Sequence, residues 1–198
     1  MFNWLKNIVS NKNEESVFTW QYIDLESELV EEIKRIYLKN LPDYSRGLQT
    51  FQQLDIKIPD VNGFRVETPG LFYSTGLHNW SYAHKDSIEK NRSTLALNIP
   101  LINCENSRTT LYKETKSKTS HFLSEYPDAN YTNCISEDLT NKTEIQKKNK
   151  KQIITSYVLN RPILFNTRVF HAVENFSIKP RLAISLRFER NPTEWITK

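Results

Sequence analysis

The segment "HKD", residues 84 to 86, sets a histidine and an aspartate two positions apart. On a strand, residues i and i+2 project from the same face. His84 and Asp86 would then present an imidazole and a carboxylate together. One distant histidine completes a set of two His and one carboxylate. That set leaves three positions open on an octahedral metal and suits non-haem Fe(II). His171, in "VFHAVE", is the candidate third ligand. An HxD triplet alone is a weak signal. The set gains weight because His171 opens a later strand-like run and Arg181 follows it by ten positions. The competing reading makes His84 and His171 hydrogen-bonded core histidines.

Arg181 lies in the alternating run "RLAISLRF". Alternation puts Arg181, Ala183, Ser185 and Arg187 on one face. A buried guanidinium without a partner is costly, so a partner is expected. Arginine's planar fork suits a carboxylate bidentately. A cosubstrate such as 2-oxoglutarate, chelating iron through its keto-acid end, would bring its far carboxylate there. Ser185 would add a hydroxyl beside that clamp. Arg187, nearer the strand's end, is expected to be exposed. Tyr82 shares the face of His84 and is a candidate contact to the cosubstrate, with core packing the equal alternative. Trp80 is a candidate pocket wall, and His78 and His121 show no partner pattern.

The elements that must position these residues are readable in outline. "DLESELVEEIKRIYLKN", residues 24 to 40, carries Leu25, Leu29, Val30, Ile33, Ile36 and Tyr37 at helical spacing, with acidic residues early and basic ones late. From about residue 51 the period changes. "LDIKIP", "LFYSTGLHNWSYAH", "STLALNIPLIN", "TTLYK", "IITSYVLN", "PILFN", "VFHAVE" and "RLAISLRF" are short, aromatic or β-branched runs bounded by turn formers. A leading helix and seven or eight strands predict a mainly β barrel or jelly-roll sandwich with helical support. Residues 113 to 152 are polar and end in "KKNKK". They read as a solvated insertion or as a lid over the barrel mouth.

At 198 residues the chain suits one domain, 1–198, with that insertion inside it. Aromatics at 12% and charged residues at 25% exclude a disordered composition. A net charge of +4 is mild, so nucleic acid is not an expected partner. Cys104 and Cys134 form no CxxC motif, which disfavours a zinc cluster or a disulfide framework and fits a reducing, cytoplasmic setting. No apolar run approaches a membrane span.

The segments "HKD", "RSTLALNIPL" and "PILFNTRVFHAVENFSIKPRLAISLRF" resemble the 2-oxoglutarate/Fe(II)-dependent oxygenase superfamily. They are similar to its short prokaryotic and phage-encoded members and to the aspartyl/asparaginyl β-hydroxylase branch. The resemblance covers roughly residues 71 to 112 and 153 to 190. It implies a double-stranded β-helix (jelly-roll, cupin-like) with an N-terminal supporting helix. It implies Fe(II) on His84, Asp86 and His171, and 2-oxoglutarate on Arg181. Arg92, before "STLALNIP", matches a second arginine of the β-hydroxylase branch. That branch can lack the carboxylate ligand that Asp86 supplies here. Many other members carry serine two residues after the arginine, where this chain has Ala183. The implied activity is oxidation by O2, by default hydroxylation of an amino-acid or peptide side chain or a small metabolite, with release of succinate and CO2. Asp86 disfavours halogenation, which needs that position vacant. The alternatives are a non-catalytic jelly-roll binding module, or a metal-dependent enzyme on the same barrel that does not use 2-oxoglutarate.

Overall fold

The structure is a computed structural model that describes residues 8–11, 14–41, 50–74, 84–86, 93–112, 131–133 and 153–196. Of these, 8–11, 14–17, 50, 84–86 and 131–133 are described in backbone alone.

Among the described residues one α-helix, α1 (Ser27–Lys39), accompanies the strands. Ile33 and Tyr37, four apart, are buried, and Leu25, Leu29, Val30 and Ile36 pack beside them. Glu28 in the first turn and Lys39 in the last complement the helix dipole. The Asn40 side chain closes the helix by donating to the Ile36 carbonyl at 2.7 Å. The helix is neither long nor apolar enough to cross a membrane, and no other helix of the described residues is.

Strands β1 (Ile8–Asn11) and β2 (Glu14–Phe18) form a hairpin of their own. A six-stranded sheet holds β3 (Trp20–Tyr22), β4 (Thr50–Gln53), β5 (Val66–Ser74), β7 (Leu95–Ile102), β11 (Ile163–Asn166) and β13 (Arg181–Phe188). Its order is β3-β11-β7-β13-β5-β4. A five-stranded sheet holds β6 (His84–Asp86), β8 (Ser107–Tyr112), β9 (Tyr131–Asn133), β10 (Ile153–Tyr157) and β12 (Phe170–Asn175), in the order β10-β8-β12-β6-β9. Every pairing is antiparallel.

Strand β13 shows how the layers form. Leu182, Ile184, Leu186 and Phe188 join the cluster that contains Ile33 and Tyr37, so that face meets the helix. Ala183 joins a second cluster with Leu111 of β8 and Tyr157 of β10, so the opposite face meets the smaller sheet. An alternating sequence is thus buried on both sides, with small and polar residues inward. Each large aliphatic side chain buried against the helix contributes about 1.5–3 kcal/mol.

Two expectations change. The helix does not lead the chain: three strands precede it, and β3 is an edge of the large sheet. "LDIKIP" is not a strand: the ladder ends at Gln53, and one further bond, from the Leu54 N–H to the Pro69 carbonyl at 2.9 Å, closes the pairing to β5. Leu54 and Ile58 still fill the core, which is why their alternation reads as a strand. The chain returns through a tight turn in which Asn62 and Gly63 both have positive φ (48° and 79°), the backbone that an Asn-Gly pair favours.

Candidate active site

His171 sits on β12 and is 4% exposed. Its ladder partners are Leu111 on β8 and His84 on β6. Its Nδ1 lies 2.9 Å from the Val169 carbonyl. A carbonyl can only accept, so the hydrogen is on Nδ1 and Nε2 is the nitrogen that would meet a metal. Phe165 packs edge-on to the ring, with centroids 5.1 Å apart and planes at 79°. Tautomer and ring orientation are both held, as metal-binding histidines require.

The backbone brings the sequence triplet to this histidine. His84 is directly across the ladder from His171, and Asp86 is two residues further along β6. Directly opposed residues share a face, as do residues two apart on one strand. All three proposed ligands therefore occupy positions on one face of the small sheet. The side chains of His84 and Asp86 lie outside the described residues. Among those described, no three His, Cys, Asp or Glu side chains form a metal cluster.

Arg181 opens β13 in the other sheet and is 3% exposed. Its Nε donates to Ser107 Oγ of β8 at 2.9 Å, and Ser107 Oγ donates onward to the Cys104 carbonyl at 2.6 Å. The guanidinium is thus tied to the opposite sheet. Among the described residues no carboxylate pairs with it. An uncompensated buried charge is expensive.

Arg181 and His171 line one cavity between the sheets, together with Ser74, Asn98 and Thr109. Phe72, Tyr157 and Phe165 give it apolar walls. Ser74 Oγ, Asn98 Oδ1 and Ser185 Oγ are buried with no hydrogen-bond partner among the described residues. Buried polar atoms are normally bonded, and of these three residues Ser74 and Asn98 line the cavity, so both leave polar capacity beside it.

Ser185 is 1% exposed and opposes Asn98 and Gly70. Arg187 is half-buried, not exposed as expected, because its Nη1 donates to Thr167 Oγ1 at 2.9 Å. Cys104 is 2% exposed, and its thiol donates to the Leu182 carbonyl at 2.9 Å. Burial pushes that thiol's pKa up, partly opposed by the Arg181 charge. Tyr82, Arg92, Trp80, His78, His121, Cys134 and the "KKNKK" run lie outside the described residues. The part of the insertion that is described is β9, which pairs along β6: His84 with Asn133, Lys85 with Thr132, Asp86 with Tyr131. Ser74, Asn98 and Ser107 were not anticipated. No local pattern marks them, since only cross-strand register gives them a role.

No protein-family model matches the chain, and no curated protein sequence matches it. Among solved structures it is similar to AviO1 from Streptomyces viridochromogenes Tue57, at 10% identity and TM-score 0.45, over 86% of this chain and 89% of that one. It is similar to the epimerase SnoN in complex with Fe3+, alpha ketoglutarate and nogalamycin RO, at 10% identity and TM-score 0.48, over 86% and 78%. It is also similar to EctD from S. alaskensis with 2-oxoglutarate and 5-hydroxyectoine, at 12% identity and TM-score 0.46, over 86% and 71%. At these values the likenesses carry no argument about this chain.

Proposed function

We propose that this chain is a 2-oxoglutarate- and Fe(II)-dependent oxygenase built on a double-stranded β-helix. The strand order supports the fold. With the outer strands β3, β4 and β9 set aside, the sheets read β11-β7-β13-β5 and β10-β8-β12-β6. Along the chain β5 is in the large sheet, β6 in the small, β7 in the large and β8 in the small. After β10 in the small sheet, β11, β12 and β13 alternate again. That path fits the winding of a jelly roll.

One observation carries the function: a buried arginine with no carboxylate partner among the described residues shares a cavity with a tautomer-fixed histidine. The residue types suit an octahedral metal and a dicarboxylate. His84, Asp86 and His171 would hold the metal, and Arg181 would hold the far carboxylate of 2-oxoglutarate. Ser185, Tyr82 and Arg92 are assigned to further polar contacts with the cosubstrate. When bound, iron and 2-oxoglutarate supply O2 activation coupled to oxidative decarboxylation, giving succinate and CO2. The protein's share is orientation and exclusion of water. His171 is aimed by Val169, Arg181 is aimed by Ser107, and Phe72, Tyr157 and Phe165 wall off the space. We assign the outcome to hydroxylation of an amino-acid or peptide side chain or a small metabolite. Free, buried Cys104 suits a reducing compartment such as the cytoplasm.

The test is anaerobic titration of 2-oxoglutarate into Fe(II)-loaded protein. A visible charge-transfer band is expected for the wild type and not for His84→Ala or His171→Ala. Metal analysis should show both variants without bound iron. A wild type that binds neither iron nor 2-oxoglutarate would leave a binding module on the same fold.

A further inference from the structure

A carboxylate presents about four lone-pair sites, and a guanidinium fork fills two. In a buried cavity the others need donors of their own. Two residues after the arginine, on the same face of β13, stands Ala183, which has no hydroxyl and is fully buried in the apolar cluster between the sheets. The hydroxyl must come from another strand.

Ser74 is placed for it. It ends β5 and is the ladder partner of Arg181 on β13. Directly opposed residues share a face, with Cβ atoms about 4.5–5.5 Å apart. Ser74 is 2% exposed, its Oγ has no hydrogen-bond partner among the described residues, and it lines the cavity that Arg181 and His171 line. Arg181 Nε is already engaged by Ser107, so the fork's terminal nitrogens are left for a ligand. Ser185 is four residues from Arg181, roughly 13 Å along a strand, too far for one carboxylate to meet both.

We propose that Ser74 is the second donor to the carboxylate held by Arg181, which makes the far-carboxylate site a cross-strand Arg181–Ser74 pair. The inference rests on the 2-oxoglutarate reading and gives that ligand a specific contact in this chain. Ser74 donates its hydroxyl hydrogen to a carboxylate oxygen, and the terminal nitrogens of Arg181 donate to the same group. Ser107 touches no ligand and is a positioning residue behind the guanidinium.

Calorimetry with 2-oxoglutarate on Mn(II)-loaded protein tests it, using wild type, Ser74→Ala, Ser74→Thr and Arg181→Ala. Glutarate, which keeps both carboxylates and lacks the chelating keto oxygen, reports the far end separately by competition. Ser74→Ala is expected to weaken both ligands about tenfold, the loss for one hydrogen bond to a charged group. Ser74→Thr, which keeps the hydroxyl, should recover most of it. Ligand-free Ser74→Ala should melt at or above the wild-type temperature, because its hydroxyl has no hydrogen-bond partner among the described residues to lose. Wild-type affinity in Ser74→Ala, with Arg181→Ala impaired, overturns the Ser74 assignment and leaves the oxygenase reading standing. So does a ligand-free Ser74→Ala that melts well below wild type, which would make the serine structural. A wild type that does not bind 2-oxoglutarate at all overturns the oxygenase reading, and this inference with it.

Discussion

Among the described residues Arg181 sits at 3% exposure with one hydrogen bond, to the neutral Ser107 hydroxyl, and no carboxylate partner. Stability alone gives no reason to keep such a charge, since exchanging buried ionic groups for apolar ones of similar volume is often stabilising by about 1–4 kcal/mol. Arg181→Met is therefore expected to raise ligand-free stability in chemical denaturation while losing 2-oxoglutarate. Arg181→Ala should weaken 2-oxoglutarate by about 2–4 kcal/mol, roughly a hundredfold, with iron binding intact. Arg181→Lys should recover only part of this, because an ammonium lacks the fork. An Arg181→Met protein less stable than wild type, or an Arg181→Ala protein that binds 2-oxoglutarate normally, would remove the arginine from the ligand site. His171 and Arg181 were legible in the sequence because residue type and spacing announce them. Ser74 and Ser107 were not, because each acquires its role from a strand far away in the chain.

Strand β6 shows how an element can be held by a segment that carries no readable pattern. It is three residues long, and its ladder to β12 is a single pair, His171 with His84. Its ladder to β9 has three pairs. The insertion is thus more than surface in one respect: it supplies most of the pairing of the strand that bears His84 and Asp86. "YTN" at 131 to 133 is too short for alternation to mark it, and its polar surroundings read as loop. The long strands were legible because "STLALNIPLIN" and "RLAISLRF" carry enough aliphatic residues to fix both period and burial. Successive backbone N–H groups in a strand point to opposite sides, so proline at both Thr132 and Asn133 removes whichever one faces β6. Thr132→Pro with Asn133→Pro is expected to weaken metal binding at least tenfold with little change in the main unfolding transition. Equilibrium dialysis with Mn(II) and a denaturant melt measure the two effects. Unchanged metal affinity would mean that β12 alone holds β6 in place.

At the scale of the whole molecule, the site sits where two sheets face each other, and each contributes one half. His171 and the strand of His84 and Asp86 belong to the five-stranded sheet. Arg181, Ser74 and Asn98 belong to the six-stranded sheet. Between them the Arg181–Ser107 bond is a direct polar tie. A metal held by the small sheet, chelated by a ligand whose far end is held by the large one, would add a second tie. Binding of this kind stabilises the folded state by mass action, about 2.7 kcal/mol at a hundredfold excess over the dissociation constant. In a domain of this size each kcal/mol raises the melting temperature by about 2–4 °C. Mn(II) and 2-oxoglutarate, each at that excess, should therefore together raise it by about 11–22 °C in the wild type. The rise should exceed the sum of the two separate effects, because the bound metal provides the ligand's near anchor. In Arg181→Ala the metal's own contribution should persist and the added contribution of 2-oxoglutarate should largely vanish. Differential scanning calorimetry of the four ligand states resolves this. Strictly additive shifts in the wild type would mean that metal and dicarboxylate occupy separate sites, and the two-sheet arrangement of the active site would be wrong.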